Sequence, residues 1–183
     1  MAATDRLGLF SETAGLLASH GVQVRSAVLH TVDGVAVNTW RVDKQVRADV
    51  PDPAFLVQQL ERLEQGDSTV LAPVRRREAR SLAASAPSEP WVELVEDASE
   101  SAVVVEVRTQ DRPGLLYALG HALADAGLSI RSAHASTLAG LAIDTFYLTE
   151  PDGSRPGSDR ARAALRALGA AAGPGRPAAV AGC

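Results

Sequence analysis

The 183-residue sequence has little cysteine, few aromatic residues and no excess of positive charge. Its one cysteine, Cys183, is the last residue, which excludes an internal disulfide and a cysteine-based metal cluster. The formal net charge of −4 argues against binding to nucleic acid through bulk charge. No apolar run reaches the roughly 18 residues of a membrane span, and the amino terminus lacks the profile of a secretory signal. These absences favour a protein of the reducing cytoplasm.

The core must be built mainly from Leu, Val and Ile. The chain has only three Phe, two Trp and two Tyr, and 33 of its apolar residues are alanine. Such a composition favours two modest cores over one large one.

The sequence repeats itself at an interval of 106 residues. Residues 5–42 align with residues 111–148 without a gap, and 14 of the 38 pairs are identical. Only three of these identities pair alanine with alanine, so alanine richness does not explain the match. The two copies therefore predict two structural units of the same kind.

Each copy predicts a loop, a helix and a β-hairpin. In the second copy the loop Asp111-Arg112-Pro113-Gly114 opens a helix, because proline in a first turn needs no N–H acceptor. Apolar residues recur at helical spacing up to Gly127, which can take the left-handed conformation that ends a helix. The predicted strands are 22–32 and 35–43 around Asp33-Gly34 in the first copy, and 128–138 and 141–149 around Ala139-Gly140 in the second.

A second helix is predicted after each hairpin, capped by Asp52 before Pro53 in the first copy and by Ser158 in the second. Two further strands, 91–96 and 102–108, precede the second loop. These elements predict an α+β fold of two ferredoxin-like βαββαβ units, with helices on one face of antiparallel sheets. We expect 91–96 to take the fourth-strand position of the second unit.

The domain boundaries follow from this pattern. The first unit spans 1–72 and is truncated at its start, because only four residues precede its loop. A linker spans 73–90, the second unit spans 91–172, and the Gly-, Pro- and Ala-rich tail 173–183 is expected to be disordered. The short first strand indicates a piece of a longer protein.

The loop at 111–116, followed by 127–133 and Asp144-Thr145-Phe146-Tyr147-Leu148, strongly resembles ACT domains. The pair of copies is similar to the carboxy-terminal regulatory tandem of the bacterial enzymes that add and remove uridylyl groups on the PII nitrogen-signalling protein. The resemblance covers roughly residues 5–170. It implies that an amino acid, with glutamine favoured, binds where two ACT units meet, within or between chains. It also implies catalytic domains of a parent chain and PII itself as partners.

The loop supports such a site on physical grounds as well. Glycine at a helix start lets backbone N–H groups approach a carboxylate, and Asp111 can accept hydrogen bonds from an α-ammonium group. The alternative is that Asp111 only caps its helix and Gly114 only relieves crowding. The candidate ligand-binding residues are Asp111, Arg112, Pro113, Gly114, Leu115 and Leu116 in the second copy, and Asp5, Arg6, Gly8 and Leu9 in the first.

No other pattern predicts chemistry. His20, His30, His121 and His134 have no metal-ligand spacing, no serine has a nucleophile-elbow context, and no phosphate loop is present. We therefore expect no catalytic site, no metal, no cofactor, no nucleic acid and no membrane partner. The arginine cluster from Arg75 to Arg80 favours a solvated helix over a phosphate site.

Two other functions stay open beside glutamine sensing. One is a free-standing ACT pair that binds another amino acid or a partner protein. The other is a dimerisation module without a ligand.

Overall fold

A run of strand, helix, hairpin and helix occurs twice along the chain. The computed structural model describes residues 2–33, 35–43, 50–84 and 89–173. In the first half of the described chain the elements are β1 (Ala2–Thr4), α1 (Leu9–Ser19), β2 (Gln23–Val32), β3 (Val35–Asp43), α2 (Pro53–Glu64), a 3-10 helix (Ser68–Leu71) and α3 (Ala72–Ala84). In the second half they are β4 (Trp91–Leu94), β5 (Val103–Gln110), α4 (Leu115–Asp125), β6 (Ser129–Leu138), β7 (Leu141–Thr149) and α5 (Ser158–Ala172).

The strands of the described residues form one seven-stranded antiparallel sheet in the order β1-β3-β2-β6-β7-β5-β4. Its second half, β4-β5-β7-β6, has the strand order of a ferredoxin-like unit, with β4 beside β5 at the fourth-strand position. The first half, β1-β3-β2, has the same order, and its first strand is only three residues long. The α+β class and the ferredoxin-like units are confirmed.

The two units share one sheet, whereas the sequence predicted separate sheets. Strands β2 and β6 would each be an edge with unpaired backbone groups, and their pairing over three residues covers part of both edges. The register joins Ser26 with His134, Ala27 with Ala133 and Val28 with Ser132. Ala27 and Ala133 are equivalent in the repeat, so the units are related by a pseudo-two-fold axis through this pair.

The core consists of two clusters of buried apolar side chains, as the composition predicted. One aromatic side chain from the first helix of each unit packs in the core cluster of the other unit. Phe10 of α1 lies in the cluster around Leu119 and Phe146, and Tyr117 of α4 lies in the cluster around Leu16. This exchange packs α1 against α4 and fixes how the units face each other.

The structure confirms one of the two predicted helix caps and corrects the other. The carboxylate of Asp52 accepts a hydrogen bond from the Ala54 N–H at 2.7 Å, so Asp52 is the cap of α2 as predicted. The prediction that Ser158 caps α5 was wrong, because Ser158 is the first helical residue and Gly157 precedes it without a side-chain cap. Glycine can adopt the extended backbone needed there, and it leaves the first turn without a capping oxygen.

The segment predicted as a linker contains helix α3, which packs against the first unit through the fully buried Val74. Strand β4 ends at Leu94, two residues earlier than predicted, and β5 continues to Gln110 because it pairs with β7 as far as Leu141. The predicted tail beyond Gly173 and the turn residue Gly34 lie outside the described residues. Within the described ranges, none of the helices combines the length and apolar character that crossing a membrane requires.

Candidate functional site

The turn between β5 and α4 is held in one conformation by its neighbours. The backbone N–H of Asp111 donates to the carbonyl of Gly140 at 2.8 Å, which ties the turn to the β6–β7 hairpin. Gly114 has a φ of +83°, in the left-handed region that favours glycine. A Cβ atom at Gly114 would lie 3.0 Å from Cγ2 of Val74, so α3 also packs directly on this residue. The turn therefore requires glycine for its conformation and for the approach of α3.

A cavity of about 520 Å³ opens beside this turn, at the boundary between the two units. One wall is the turn itself with the start of α4 and residues of β6 and β7; the other is the end of α1 and the start of β2 in the first unit. The second-copy residues predicted from the sequence all line it: Asp111, Arg112, Pro113, Gly114, Leu115 and Leu116. A volume of this size is in the usual range of small-molecule sites.

Two carboxylates face this cavity. The hydroxyl of Thr137 donates to Oδ2 of Asp111 at 3.2 Å, which orients that side chain from β6. Asp144 enters from β7 and is only 4% exposed. Burial, together with the negative charge of Asp111, raises the pKa of Asp144 to about 7. The cavity thus contains one anchored carboxylate and one that is close to half protonated at neutral pH.

Arg112 lies at the cavity but directs its guanidinium elsewhere. It donates to the carbonyls of Ala171 and Ala172, at 2.6 and 3.1 Å, and its nearest carboxylate oxygen is on Glu78 at 3.7 Å. These hydrogen bonds satisfy carbonyl groups at the end of α5, which have no N–H donor within the helix. Burial lowers the pKa of Arg112 and raises the pKa of Glu78. The geometry makes Arg112 an anchor between the turn and α5.

Two arginines line the cavity from the first unit, and both are bound to the protein. Arg25 of β2 pairs with Asp43 at 2.6 Å, and Arg77 of α3 donates to the carbonyl of Ala18 at 3.0 Å. Arg75 donates to the hydroxyl of Tyr117 at 3.1 Å. Two members of the arginine cluster therefore fasten α3 to its neighbours, and Arg77 places a positive charge opposite the two carboxylates.

The equivalent corner of the first unit is nearly closed. Asp5, Arg6, Gly8 and Leu9 line a cavity of only about 40 Å³ there. Two substitutions between the copies explain the difference: Phe10 stands where the second copy has Leu116, and Leu29 stands where it has Ala135. Arg6 is engaged by Glu12 at 2.9 Å. The structure therefore separates the predicted residues into one open corner and one filled corner.

Sequence reasoning missed Asp144 and Arg77. For Asp144 a signal was present, because residues 142, 146 and 148 of the same strand are apolar and alternate with it. An acidic residue on the buried side of a strand requires a specific reason. Arg77 had no such signal, since only the fold of α3 over the turn brings it to the cavity.

The histidines do not form a site. His121 lies 3.8 Å from Asp125 on the surface of α4, and the four histidines come from different elements. In the part of the chain that the structure describes, no group of three or more His, Cys, Asp or Glu side chains could hold a metal ion.

Comparison with known proteins agrees with this architecture. Residues 103–170 match the ACT domain family. The chain carries an ACT domain. This segment contains β5, α4, β6, β7 and most of α5, together with the turn that lines the open corner.

Three relatives share the name bifunctional uridylyltransferase/uridylyl-removing enzyme. The protein of Streptomyces coelicolor is 38% identical over 176 residues, which are 92% of this chain and 21% of the relative. Those of Caulobacter vibrioides and Phenylobacterium zucineum are both 36% identical and cover 91% of this chain and 18% of the relative. The chain thus spans about a fifth of the length of these relatives. No solved structure matches the chain.

Proposed function

We propose that the chain is an amino-acid-sensing regulatory module, with glutamine as its ligand, and that it controls the addition and removal of uridylyl groups on PII by catalytic domains of a longer parent chain. The observation that carries the proposal is the open corner, a cavity of about 520 Å³ whose two walls belong to different units. A ligand in this position contacts both units at once. Ligand binding is therefore coupled to the association of the two units.

The polar groups of the corner suit a zwitterion. Asp111 offers a carboxylate for an α-ammonium group, and Thr137 keeps that carboxylate in place. The first turn of α4 begins at Leu115, whose own N–H donates to the carbonyl of Arg112, and the N–H groups that follow in a first helical turn have no acceptor within the helix. Such groups, together with the helix dipole, favour a carboxylate. An α-amino acid carries one charge of each sign and so suits both groups.

The relatives support the regulatory part of the proposal. They match the chain along nearly its whole length, yet the chain corresponds to only a fifth of theirs. The remaining four fifths of those proteins have no counterpart in this chain. The preference for glutamine and the role of PII come from the resemblance to the regulatory tandem.

Calorimetric titration of the chain with each of the twenty amino acids tests the binding step. We expect heat with glutamine, and we expect Asp111→Ala to weaken that binding at least tenfold. Glu93→Gln, which removes a carboxylate from exposed strand β4, is the matched control and should bind as the original chain does. Heat with a different amino acid would replace glutamine as the ligand, and a lack of heat with all twenty would refute sensing.

A chimaera tests the regulatory step. Replacing the homologous fifth of the Streptomyces coelicolor relative by this chain should give an enzyme whose uridylylation of PII responds to glutamine. The Asp111→Ala chimaera should be active and should not respond. A response that survives this substitution would assign the control to another site.

A further inference from the structure

Asp144 is a largely buried carboxylate at the open corner. It pairs in the sheet between Val107 of β5 and Ala135 of β6, and it is 4% exposed. None of the hydrogen bonds among residues 2–33, 35–43, 50–84 and 89–173 reaches its carboxylate, whose oxygens are open to the cavity. Buried polar groups in proteins are almost always hydrogen-bonded, so an exception requires an explanation. Because Asp144 lines the open corner, the explanation we pursue is a ligand.

The charges around Asp144 make the missing partner a cation. From the turn, Asp111 adds a second negative charge, which raises the pKa of Asp144. The cationic groups that line the corner make their hydrogen bonds with other groups: Arg112 with carbonyls of α5, Arg25 with Asp43, and Arg77, which keeps its charge, with the carbonyl of Ala18. The remaining neighbours from β5 and β6, Val107 and Ala135, carry no charge. Two carboxylates facing one cavity favour a positive group between them.

The repeat supplies an internal comparison. The residue equivalent to Asp144 in the first unit is Asn38, which is also buried. That unit has the filled corner, with a cavity of only about 40 Å³. The carboxylate thus occurs in the copy that has room for a ligand, and a neutral amide of the same shape occurs in the copy that does not. The two copies therefore differ in charge at this buried position.

We propose that Asp144 is a second ligand-binding residue of the open corner, which holds the α-ammonium group of the bound amino acid jointly with Asp111. This inference rests on the proposed function and adds to it a requirement on the ligand: a primary ammonium group close to its carboxylate. Asp144 must be ionised to accept the ammonium, so ligand binding drives a proton off this side chain. Affinity then rises with pH through the range in which the empty site titrates.

Titration calorimetry with glutamine, or with whichever amino acid gives heat in the screen, tests this role. For the original chain we expect affinity to fall about tenfold from pH 8 to pH 6, since the pKa of Asp144 is about 7. At pH 7, titrations in buffers of different ionisation enthalpy should report release of about half a proton per ligand. Glutaramate, which keeps the carboxylate and the side-chain amide but has no ammonium, should bind at least tenfold more weakly than glutamine.

Asp144→Asn is the decisive variant, because Asn38 shows that the fold accommodates asparagine at the equivalent position. At pH 8 we expect at least tenfold weaker glutamine binding, no proton release at pH 7 and a reduced preference for glutamine over glutaramate. Glu93→Gln, with the same change of charge outside the corner, should retain all three properties of the original chain.

The possible failures are distinguishable. If the original chain binds an amino acid and Asp144→Asn binds it with the same affinity and the same proton release, the role of Asp144 is refuted and the proposed sensing function stands. If no amino acid binds to the original chain, both fall together. A loss of affinity in Asp144→Asn with unchanged proton release would mean that another group titrates, and it too would overturn the inference.

Discussion

The ring of Phe10 occupies the space that a side chain at Gly120 would need. A Cβ atom at position 120 would stand 2.7 Å from Cδ1 of Phe10, closer than real Cβ contacts allow. The same ring stacks on Trp40 with centroids 5.3 Å apart and meets Phe146 edge-on at 6.2 Å. The contact between α1 and α4 therefore depends on one large residue and one absent side chain, and it closes the first corner.

Gly120→Ala should destabilise the protein by about 1 to 3 kcal/mol, because overpacking forces a rigid ring or a helix to move. This loss should exceed the gain in helix propensity, which is at most about 1 kcal/mol. Urea unfolding monitored by circular dichroism measures the difference.

Gly169→Ala is the matched control, since Gly169 lies within α5 and a Cβ atom there would meet nothing within 4 Å. It should leave stability unchanged or raise it by about 0.5 to 1 kcal/mol. Equal effects of the two substitutions would show that the α1–α4 contact is looser than the structure indicates.

One ligand should bind per chain. The repeat supplies two equivalent corners, but Phe10 and Leu29 leave only about 40 Å³ in the first against about 520 Å³ in the second. Calorimetry should therefore give a molar ratio near one. A ratio of two would contradict the account of the filled corner.

The repeat made much of the fold predictable. A shift of 106 residues placed both hairpins and both first helices, because the glycine and apolar positions recur in both copies. The joining of the units was not predictable, since a pairing of three residues between β2 and β6 has no sequence signal of its own. The predicted cap Ser158 was wrong because serine also occurs inside the first turn of helices. In the structure Gly157 occupies the cap position.

Arg112→Ala should cost about 3 kcal/mol of stability, because it leaves the largely buried carboxylate of Glu78 without its cation and removes the guanidinium donors from the carbonyls of Ala171 and Ala172. Arg112→Lys should restore little of this loss, since a single ammonium cannot reproduce the planar fork that reaches Ala171 and Ala172 together. Thermal unfolding of the three proteins measures both expectations.

Arg162→Ala provides the comparison, as Arg162 is an exposed arginine of α5 paired only with Asp159. Its removal should change stability by less than about 0.5 kcal/mol. If Arg112→Ala were equally harmless, Arg112 would not be the anchor of the turn.

Without ligand, Asp144 should make the protein less stable as the pH rises. Its pKa is raised from 3.8, the ordinary value, to about 7 in the fold, so folding favours the protonated form. The penalty is absent below pH 4, grows between pH 4 and pH 7, and reaches at most about 4 kcal/mol above pH 7. Urea unfolding at pH 5 and pH 8 should show this fall in the original chain.

In Asp144→Asn the same contribution should vanish, so the variant should be the more stable protein at pH 8. Asn at this position has no charge to bury, and the difference between the two pH values should shrink accordingly. A pH profile identical to that of the original chain would show that Asp144 is hydrated or paired in solution.

The candidate site was predictable only in part. The turn at 111–116 was evident from its glycine and proline, and the structure brings all six residues to one cavity. Its other wall comes from residues about 90 positions earlier in the chain, which no local pattern connects to the turn. The contrast between the corners depends on the sizes of Phe10 and Leu29, which are ordinary core residues in a sequence.

The position of the open corner between the two units couples ligand binding to their association. The walls of the open corner come from both units, so separation of the units would also remove the binding cavity. An occupant at a hundred times its dissociation constant adds about 2.7 kcal/mol to the work of that separation. A bound metabolite that contacts only a few side chains would thereby stabilise the association of the two units. It would also stabilise helix α3, because Val74 of this helix packs against Gly114.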